Sequence, residues 1–141
     1  MSQGQGTGRR AARTKAVFLL YQHDVTGLDI EELFDNLRRD EGRPDEFTRA
    51  LVDGVSVDTG HIDGLISGAA EGWTVDRIAP LERNILRVAV HELLDYPETP
   101  VAVTIAEAVQ AAKTYCGAEA PSFVNGILGT IARRERPGEA V

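Results

Sequence analysis

The 141-residue chain is 43% hydrophobic and 26% charged, and its net charge at neutral pH is −7. This length is typical of one domain, or of two small halves that share a core. No apolar run approaches the roughly 20 residues that a membrane-spanning helix needs, and the polar, basic N-terminus lacks the apolar stretch of a secretory signal. Cys116 is the only cysteine, so we expect no internal disulfide and a reducing, cytoplasmic setting.

The charge is unevenly divided along the chain. Residues 1–15 hold four basic side chains and no acidic one, so the remainder is strongly acidic. An acidic body repels nucleic acid, and a basic segment attached to it either binds an anion or is simply solvated. Within that segment, residues 1–8 are rich in Gly, Gln and Ser and are predicted to be a disordered tail.

From Arg9 onward, apolar residues recur at helical spacing and predict an all-α fold of about seven helices in two small packed bundles. The predicted helices span 9 to about 24, 28–39, a segment capped by Asp45, 61–66 after a break at Gly60, 80–95, a segment from Thr99-Pro100 to Tyr115, and 121 to about 134. We divide them into an N-terminal subdomain of residues 9–75 and a C-terminal subdomain of residues 76–136, followed by a tail at 137–141.

The helix that begins at Pro80 organises this arrangement. It is apolar around most of its circumference, so we expect several other helices to surround it. Its polar residues fall on one narrow stripe made of Arg83, Asn84, Arg87, His91 and Asp95. Glu82 projects instead into the apolar arc. It either complements the helix dipole in the first turn or marks a surface that a partner protein covers.

Catalysis finds little support in the sequence. The three histidines are isolated from one another, and no Cys/His pair has the spacing of zinc ligands. Acidic residues that recur every five positions, at Asp53, Asp58 and Asp63, do not match a calcium-binding loop. We therefore expect no enzyme, no metal site and no cofactor.

The basic segment is more informative because of its place in a helix. Arg9, Arg10 and Arg13 stand at the start of the first predicted helix, where positive charge opposes the helix dipole. Arg9 and Arg13 are four residues apart and share a face. A bound phosphate would offset the unfavourable charge.

The start of the last helix holds a second unusual stretch. Phe123 lies in the first turn, where it either stacks on an unpaired base or covers the core. Asn125 and Gly126 each lower helix stability, Gly by about 1 kcal/mol relative to Ala. We interpret both as structural, with Gly126 permitting a close helix crossing and Asn125 satisfying buried backbone groups.

Three stretches together resemble the NusB family of bacterial transcription antitermination factors. They are Arg9–Arg13 leading to Leu20-Tyr21-Gln22, Leu81–Leu93, and Ile105–Leu128, which contains FVNG followed by two aliphatic residues. The resemblance implies a non-catalytic protein that pairs with NusE, a small-subunit ribosomal protein. It also implies that the pair binds the single-stranded boxA element of nascent ribosomal RNA and promotes rRNA transcription by RNA polymerase in an antitermination complex.

The resemblance further implies roles for individual residues. The RNA-binding residues would be Arg9, Arg10, Arg13, Lys15, Glu119, Ser122 and Phe123. Tyr21 and Glu82 match positions associated with the NusE contact. Some family members form homodimers that hide the RNA surface. A single RNA-binding patch requires that the arginines be free of intramolecular ion pairs and lie beside Phe123.

Two other interpretations remain open at this point. The chain is either a non-catalytic helical adaptor that binds only protein, with its basic segment as a solvated tail, or an RNA-binding subunit related to the N-terminal domains of rRNA methyltransferases.

Overall fold

A computed structural model describes residues 2–139, and their side chains from Gly8 onward. This part of the chain contains seven α-helices, one short 3-10 helix and no strand. The helices are α1 (Ser2–Thr26), α2 (Ile30–Glu41), α3 (Glu46–Val57), α4 (Thr59–Ala69), the 3-10 helix Val75–Arg77, α5 (Pro80–Asp95), α6 (Val101–Tyr115) and α7 (Ala120–Glu135). The all-α prediction with seven helices is confirmed, while the division into two subdomains remains a prediction.

Two of the helix boundaries that differ from the sequence prediction have a clear physical reason. The first helix begins at Ser2 rather than at Arg9, so the segment expected to be a tail continues the helix, and Met1 lies outside the described residues. Once a packed segment has nucleated a helix, each further residue adds one backbone hydrogen bond at little cost. The break between α3 and α4 falls at Asp58 rather than at Gly60. There the Thr59 hydroxyl donates to the Val55 carbonyl at 2.7 Å and satisfies one acceptor freed by the break.

The central position of α5 agrees with its apolar circumference. It packs against α1, α3, α4, α6 and α7, and the buried side chains on it include Ile85, Leu86, Val88, Ala89, Val90 and Leu93. None of the helices in the described range is long and apolar enough to cross a membrane. α1 packs against this core through Ala12, Ala16, Val17, Leu19 and Leu20, and this placement brings the basic segment next to α5 and α6.

The polar stripe of α5 lies against other helices, where it forms an ion-pair cluster. Arg83 and Arg87 both donate to Asp24 of α1, and Arg87 also donates to Asp63 of α4 at 2.8 and 2.9 Å. Asn84 is buried and donates to Asp24 at 2.9 Å. The stripe therefore joins three helices through charged hydrogen bonds.

Candidate nucleic-acid interface

Two of the arginines predicted to bind RNA form ion pairs within the protein. Arg10 donates from Nε and Nη2 to the two carboxylate oxygens of Glu107 on α6, at 2.9 and 2.8 Å. Arg13 donates from Nε to both carboxylate oxygens of Glu92 on α5, at 3.0 and 2.9 Å. Because α1 begins at Ser2, these arginines lie inside the helix and not in its first turn, which corrects the expected opposition to the helix dipole. The charges of Arg10 and Arg13 are balanced by carboxylates of this chain.

The two ion pairs differ in their exposure to solvent. The Arg10 side chain is 64% exposed and that of Glu107 is 20% exposed, whereas Glu92 is 2% exposed and Arg13 is largely buried. The hydrogen bonds from Arg10 lower the pKa of Glu107 below its ordinary value of 4.5. A buried carboxylate needs a partner, so Arg13 is committed to Glu92. Arg10 can change partner at small cost, because exposed ion pairs contribute about 1 kcal/mol or less.

The other two basic residues of the segment have looser contacts. The guanidinium carbon of Arg9 lies 4.3 Å from the ring centroid of Phe47, a cation–π contact. Lys15 pairs with Glu41 at 2.7 Å, and both side chains are exposed. Arg9, Arg10 and Lys15 are therefore the members of the segment that can reach a polyanion.

An aromatic cluster beside the basic segment was missed by the sequence interpretation. The rings of Phe18 and Tyr115 form an edge-to-face pair with centroids 5.1 Å apart, and Tyr21 contacts Phe18 with centroids 6.5 Å apart. Tyr115 is 45% exposed. Because Phe18 is on α1 and Tyr115 ends α6, no local sequence pattern links them. The family resemblance assigns Tyr21 to the NusE contact, and in the structure Tyr21 lies next to this cluster.

Phe123 lies in a different depression, of about 290 Å³, at the start of α7. Its lining includes Trp73, Arg77, Glu82, Glu119 and Phe123, and the guanidinium carbon of Arg77 is 5.0 Å from the Trp73 ring centroid. The Glu82 side chain makes no hydrogen bond with another described residue, and partial burial raises the pKa of its carboxyl. The depression therefore combines the exposed Trp73 and the half-buried Phe123, which packs against the core, with two carboxylates.

This position corrects the expectation that Phe123 stands beside the arginines. Arg13 contacts Glu92, whereas Phe123 shares a depression with Glu82. At 1.5 Å per residue, Glu82 and Glu92 are roughly 15 Å apart along the axis of α5. The expected single patch of free arginines around Phe123 is absent from the described residues, since Arg10 and Arg13 are paired and Phe123 is distant.

The structural interpretation of Asn125 and Gly126 is also wrong. Both residues are exposed on α7, next to the exposed Ser122. A Cβ on Gly126 would meet no atom within 4 Å, so this glycine permits no close helix crossing. The Asn125 side chain makes no hydrogen bond with another described residue and satisfies no buried backbone group. Two residues that weaken the helix thus lie on its open face, where packing does not require them.

Within the described residues, no group of three or more His, Cys, Asp or Glu side chains is arranged to hold a metal ion. The geometry instead offers two surfaces, a basic one with aromatic neighbours on α1 and α6, and an acidic one with aromatic neighbours at the start of α7.

Comparison with known proteins identifies relatives over almost the whole chain. The NusB family model matches residues 10–133. The transcription antitermination protein NusB of Rubrobacter xylanophilus is 42% identical over 120 residues, which cover 85% of this chain and 86% of that protein. The NusB protein of Ruminiclostridium cellulolyticum is 35% identical over 135 residues, covering 94% and 93% respectively.

Solved structures agree with this match. NusB of T. maritima superposes with a TM-score of 0.83 at 34% identity, covering 94% of this chain and 95% of that one. A chain from a crystal structure of the antitermination factors NusB and NusE in complex with dsRNA superposes with a TM-score of 0.79 at 29% identity, covering 89% and 96%. The helix order, the family match and these relatives together establish that the chain belongs to the NusB family of transcription antitermination proteins.

Proposed function

We propose that this chain binds the boxA element of nascent ribosomal RNA together with NusE, and that the pair joins an RNA polymerase complex and promotes rRNA transcription. The observation that carries the RNA contact is the exposed Arg10 beside Lys15 on α1, next to the aromatic pair Phe18–Tyr115. A similar structure in which NusB and NusE are bound to dsRNA supports both partners.

RNA binding at α1 proceeds in this proposal by exchange of ion-pair partners. A phosphate group accepts the same two parallel hydrogen bonds from Arg10 that Glu107 accepts in the free protein. Lys15 leaves Glu41 in the same way. Arg13 stays with Glu92 and acts as a positioning residue, because its buried ion pair fixes the basic segment of α1 against α5.

The depression at the start of α7 makes the second set of contacts. Phe123 offers a ring on which a base can stack, with Ser122 exposed beside it. Glu82 and Glu119 repel phosphate and suit a basic side chain of NusE, so this depression lies where RNA and protein partners meet. An RNA strand that reaches both Arg10 and Phe123 must be extended over the surface.

An RNA-binding titration in several salt concentrations, with and without NusE, tests the proposal. Three phosphate contacts predict a slope of about −2 in log K against log salt for single-stranded RNA. Arg10→Ala should weaken all RNAs alike, whereas Phe123→Ala should also reduce discrimination between sequences. Arg38→Ala is a matched control, because Arg38 is an exposed arginine of α2 that pairs with Asp35. Equal effects of the two arginine substitutions would contradict the proposed surface.

A helical adaptor that binds only protein is the second candidate, and it is favoured by one observation: Arg10 and Arg13 already have intramolecular partners. Deleting residues 1–15 would not separate the two functions, because the deletion removes the buried Ala12 and the Arg13–Glu92 pair. The double variant Arg10→Ala, Lys15→Ala leaves that packing intact. Lost RNA binding with unchanged NusE binding supports the proposal, whereas a wild-type chain that binds NusE and no RNA supports the adaptor.

A homodimer that covers the RNA surface is a further proposal for this chain. Sedimentation of the free protein, with and without boxA-type RNA, tests it, since RNA should then shift the population from dimer to monomer. A free protein that sediments as a monomer over the concentration range of the RNA titration would contradict it.

A further inference from the structure

A cleft of about 240 Å³ opens between α1, α5 and α6, directly beside the basic segment. About half of its lining residues are apolar, and they include Val17, Ile85, Val88, Ala89, Ala108 and Ala111. The others are polar or charged, and among them are the ion pairs Arg10–Glu107 and Arg13–Glu92. The small alanine side chains leave the space unfilled. Arg10, Glu107, Phe18 and Tyr115 belong to the same lining, so the cleft borders the residues proposed to bind RNA. A cleft that combines apolar surface with several convergent polar groups is a usual form of ligand site.

The cleft also contains a polar group that lacks a partner. Thr104 of α6 lines it and is 1% exposed, and its Oγ1 forms no hydrogen bond with the described residues. Nearly all buried hydroxyl groups in folded proteins have a hydrogen-bond partner. The Thr104 oxygen is itself enclosed by neighbouring atoms, so a small movement of the cleft wall would let this unpaired hydroxyl meet the polar edge of a ligand.

A shallow basic groove continues from the cleft across the outside of α1. Arg10, Thr14, Phe18 and Tyr115 line both the cleft and the groove, and Lys15 is added in the groove. The perpendicular rings of Phe18 and Tyr115 thus belong to both spaces. Cationic side chains lie along the outer path, and apolar surface lies inside.

We propose that this cleft receives one unpaired nucleobase of the RNA strand, while the neighbouring phosphate binds Arg10. The inference rests on the proposed RNA-binding function and adds to it the site of a single base. A nucleobase has two flat faces of low polarity and a polar edge, which match the alanine-lined walls, the aromatic pair and the Thr104 hydroxyl. An apolar side chain of a protein partner would occupy the walls but would leave Thr104 without a hydrogen bond.

Ala111→Leu tests the site, because it fills the cleft from α6. Ala106→Leu is the matched control, since it adds the same side chain to an exposed position of the same helix. The probe is a single-stranded boxA-type RNA in which each nucleotide in turn is replaced by an abasic one. In the wild type, removal of the one base that occupies the cleft should lower the RNA affinity about tenfold.

In the Ala111→Leu protein, the intact RNA should bind about tenfold more weakly, and the abasic replacement at that position should have no further effect. The sensitivity that arises from stacking on Phe123 should remain at other positions, and Ala106→Leu should behave as wild type. Thr104→Val keeps the shape of the wall and removes the hydroxyl, so it should reduce discrimination between bases at the same position only.

The possible results separate this site from the proposed function. If Ala111→Leu binds RNA as Ala106→Leu does, or keeps the full abasic profile of the wild type, the site is refuted while RNA binding stands. If Ala111→Leu weakens NusE binding and leaves RNA binding unchanged, the cleft holds a protein side chain instead and the site is again refuted. A wild-type chain that binds no RNA, with or without NusE, refutes both. If Ala111→Leu fails to fold by circular dichroism, Thr104→Val decides, and unchanged base discrimination then refutes the site.

Discussion

Replacing Asp24 by asparagine should destabilise the protein by about 2–3 kcal/mol at pH 7. Asp24 is the anion of α1 on which three side chains of α5 converge. Its carboxylate accepts hydrogen bonds from Arg83 at 2.7 and 2.8 Å, from Asn84 at 2.9 Å and from Arg87 at 3.1 Å. Asparagine keeps the shape of the side chain, but it leaves the two guanidinium groups without the negative charge that they share.

The magnitude follows from the titration of the carboxyl group. The hydrogen bond from Arg83 is the main cause that lowers the pKa of Asp24 from 3.8 to about 2. At 1.36 kcal/mol per pKa unit, this difference corresponds to roughly 2.5 kcal/mol of stabilisation of the charged form. The Asp24 side chain is only 17% exposed, so solvent screens the interaction weakly. Because the pKa is lowered on folding, the stabilisation is present above pH 3.8 and is lost as the pH falls through about 2.

Urea unfolding of the wild type and of Asp24→Asn at several pH values measures this effect. Asp35→Asn is the control, since Asp35 forms an exposed pair with Arg38 one helical turn away and should cost less than about 1 kcal/mol. The difference in unfolding free energy between wild type and Asp24→Asn should be constant down to about pH 4.5 and should narrow at lower pH. Equal costs for the two substitutions at pH 7, or a difference that persists unchanged to pH 2.5, would refute the role of the carboxylate charge.

Three further predictions concern packing, acid stability and RNA affinity. A Cβ on Gly54 would overlap the ring of His91, so Gly54→Ala should lower the free energy of unfolding in urea by at least about 2 kcal/mol. Gly64→Ala is the control, because its Cβ would meet no atom within 4 Å, and it should be neutral or stabilising by up to about 1 kcal/mol. Burial lowers the pKa of His91 below 6.5, so the fold should lose stability as the pH falls below 6.5. An NMR titration of the His91 ring with a midpoint at or above 6.5 would disprove this. Glu107→Gln removes the carboxylate that competes for Arg10 and should raise RNA affinity in titrations by up to about fivefold at low salt; weaker binding would mean that Glu107 is needed to hold Arg10 in place.

Helical periodicity predicted the number of helices and the central place of α5, because both depend on local spacing of apolar residues. The boundaries were less accessible. Gly60 has the intrinsic properties of a helix breaker, yet the chain breaks at Asp58, where Thr59 satisfies a freed carbonyl. The close contact of Gly54 with His91 also has no sequence signal, since it depends on where α3 crosses α5.

The sequence predicted which types of residue form the interface, but it did not predict how they are arranged in space. The basic residues of α1 were noticed because the sequence predicted a helix N-terminus at Arg9, but α1 begins at Ser2 and places them in the helix interior, where the dipole argument does not apply. Their partners were not predicted, because Glu92 and Glu107 have the sequence signature of ordinary helix residues and meet Arg13 and Arg10 only after folding. The order of the family motifs along the chain likewise gives no spatial distance between them. The resemblance therefore suggested that Phe123 lies beside the arginines, whereas the structure separates them.

The paired state of the arginines has a consequence for selectivity in the proposed function. The chain has a net charge of −7 and repels phosphate at long range, and a phosphate that takes the Nε and Nη2 donors of Arg10 must displace Glu107. This cost is the same for every RNA, so contacts with the backbone alone give weak binding. An RNA that also stacks a base on Phe123 and inserts one beside Phe18 and Tyr115 gains free energy that other sequences lack. Because Glu107 competes for Arg10 with every RNA, the base contacts decide which RNA is bound. Specificity then comes both from weakening the binding of other RNAs and from strengthening the binding of the right one.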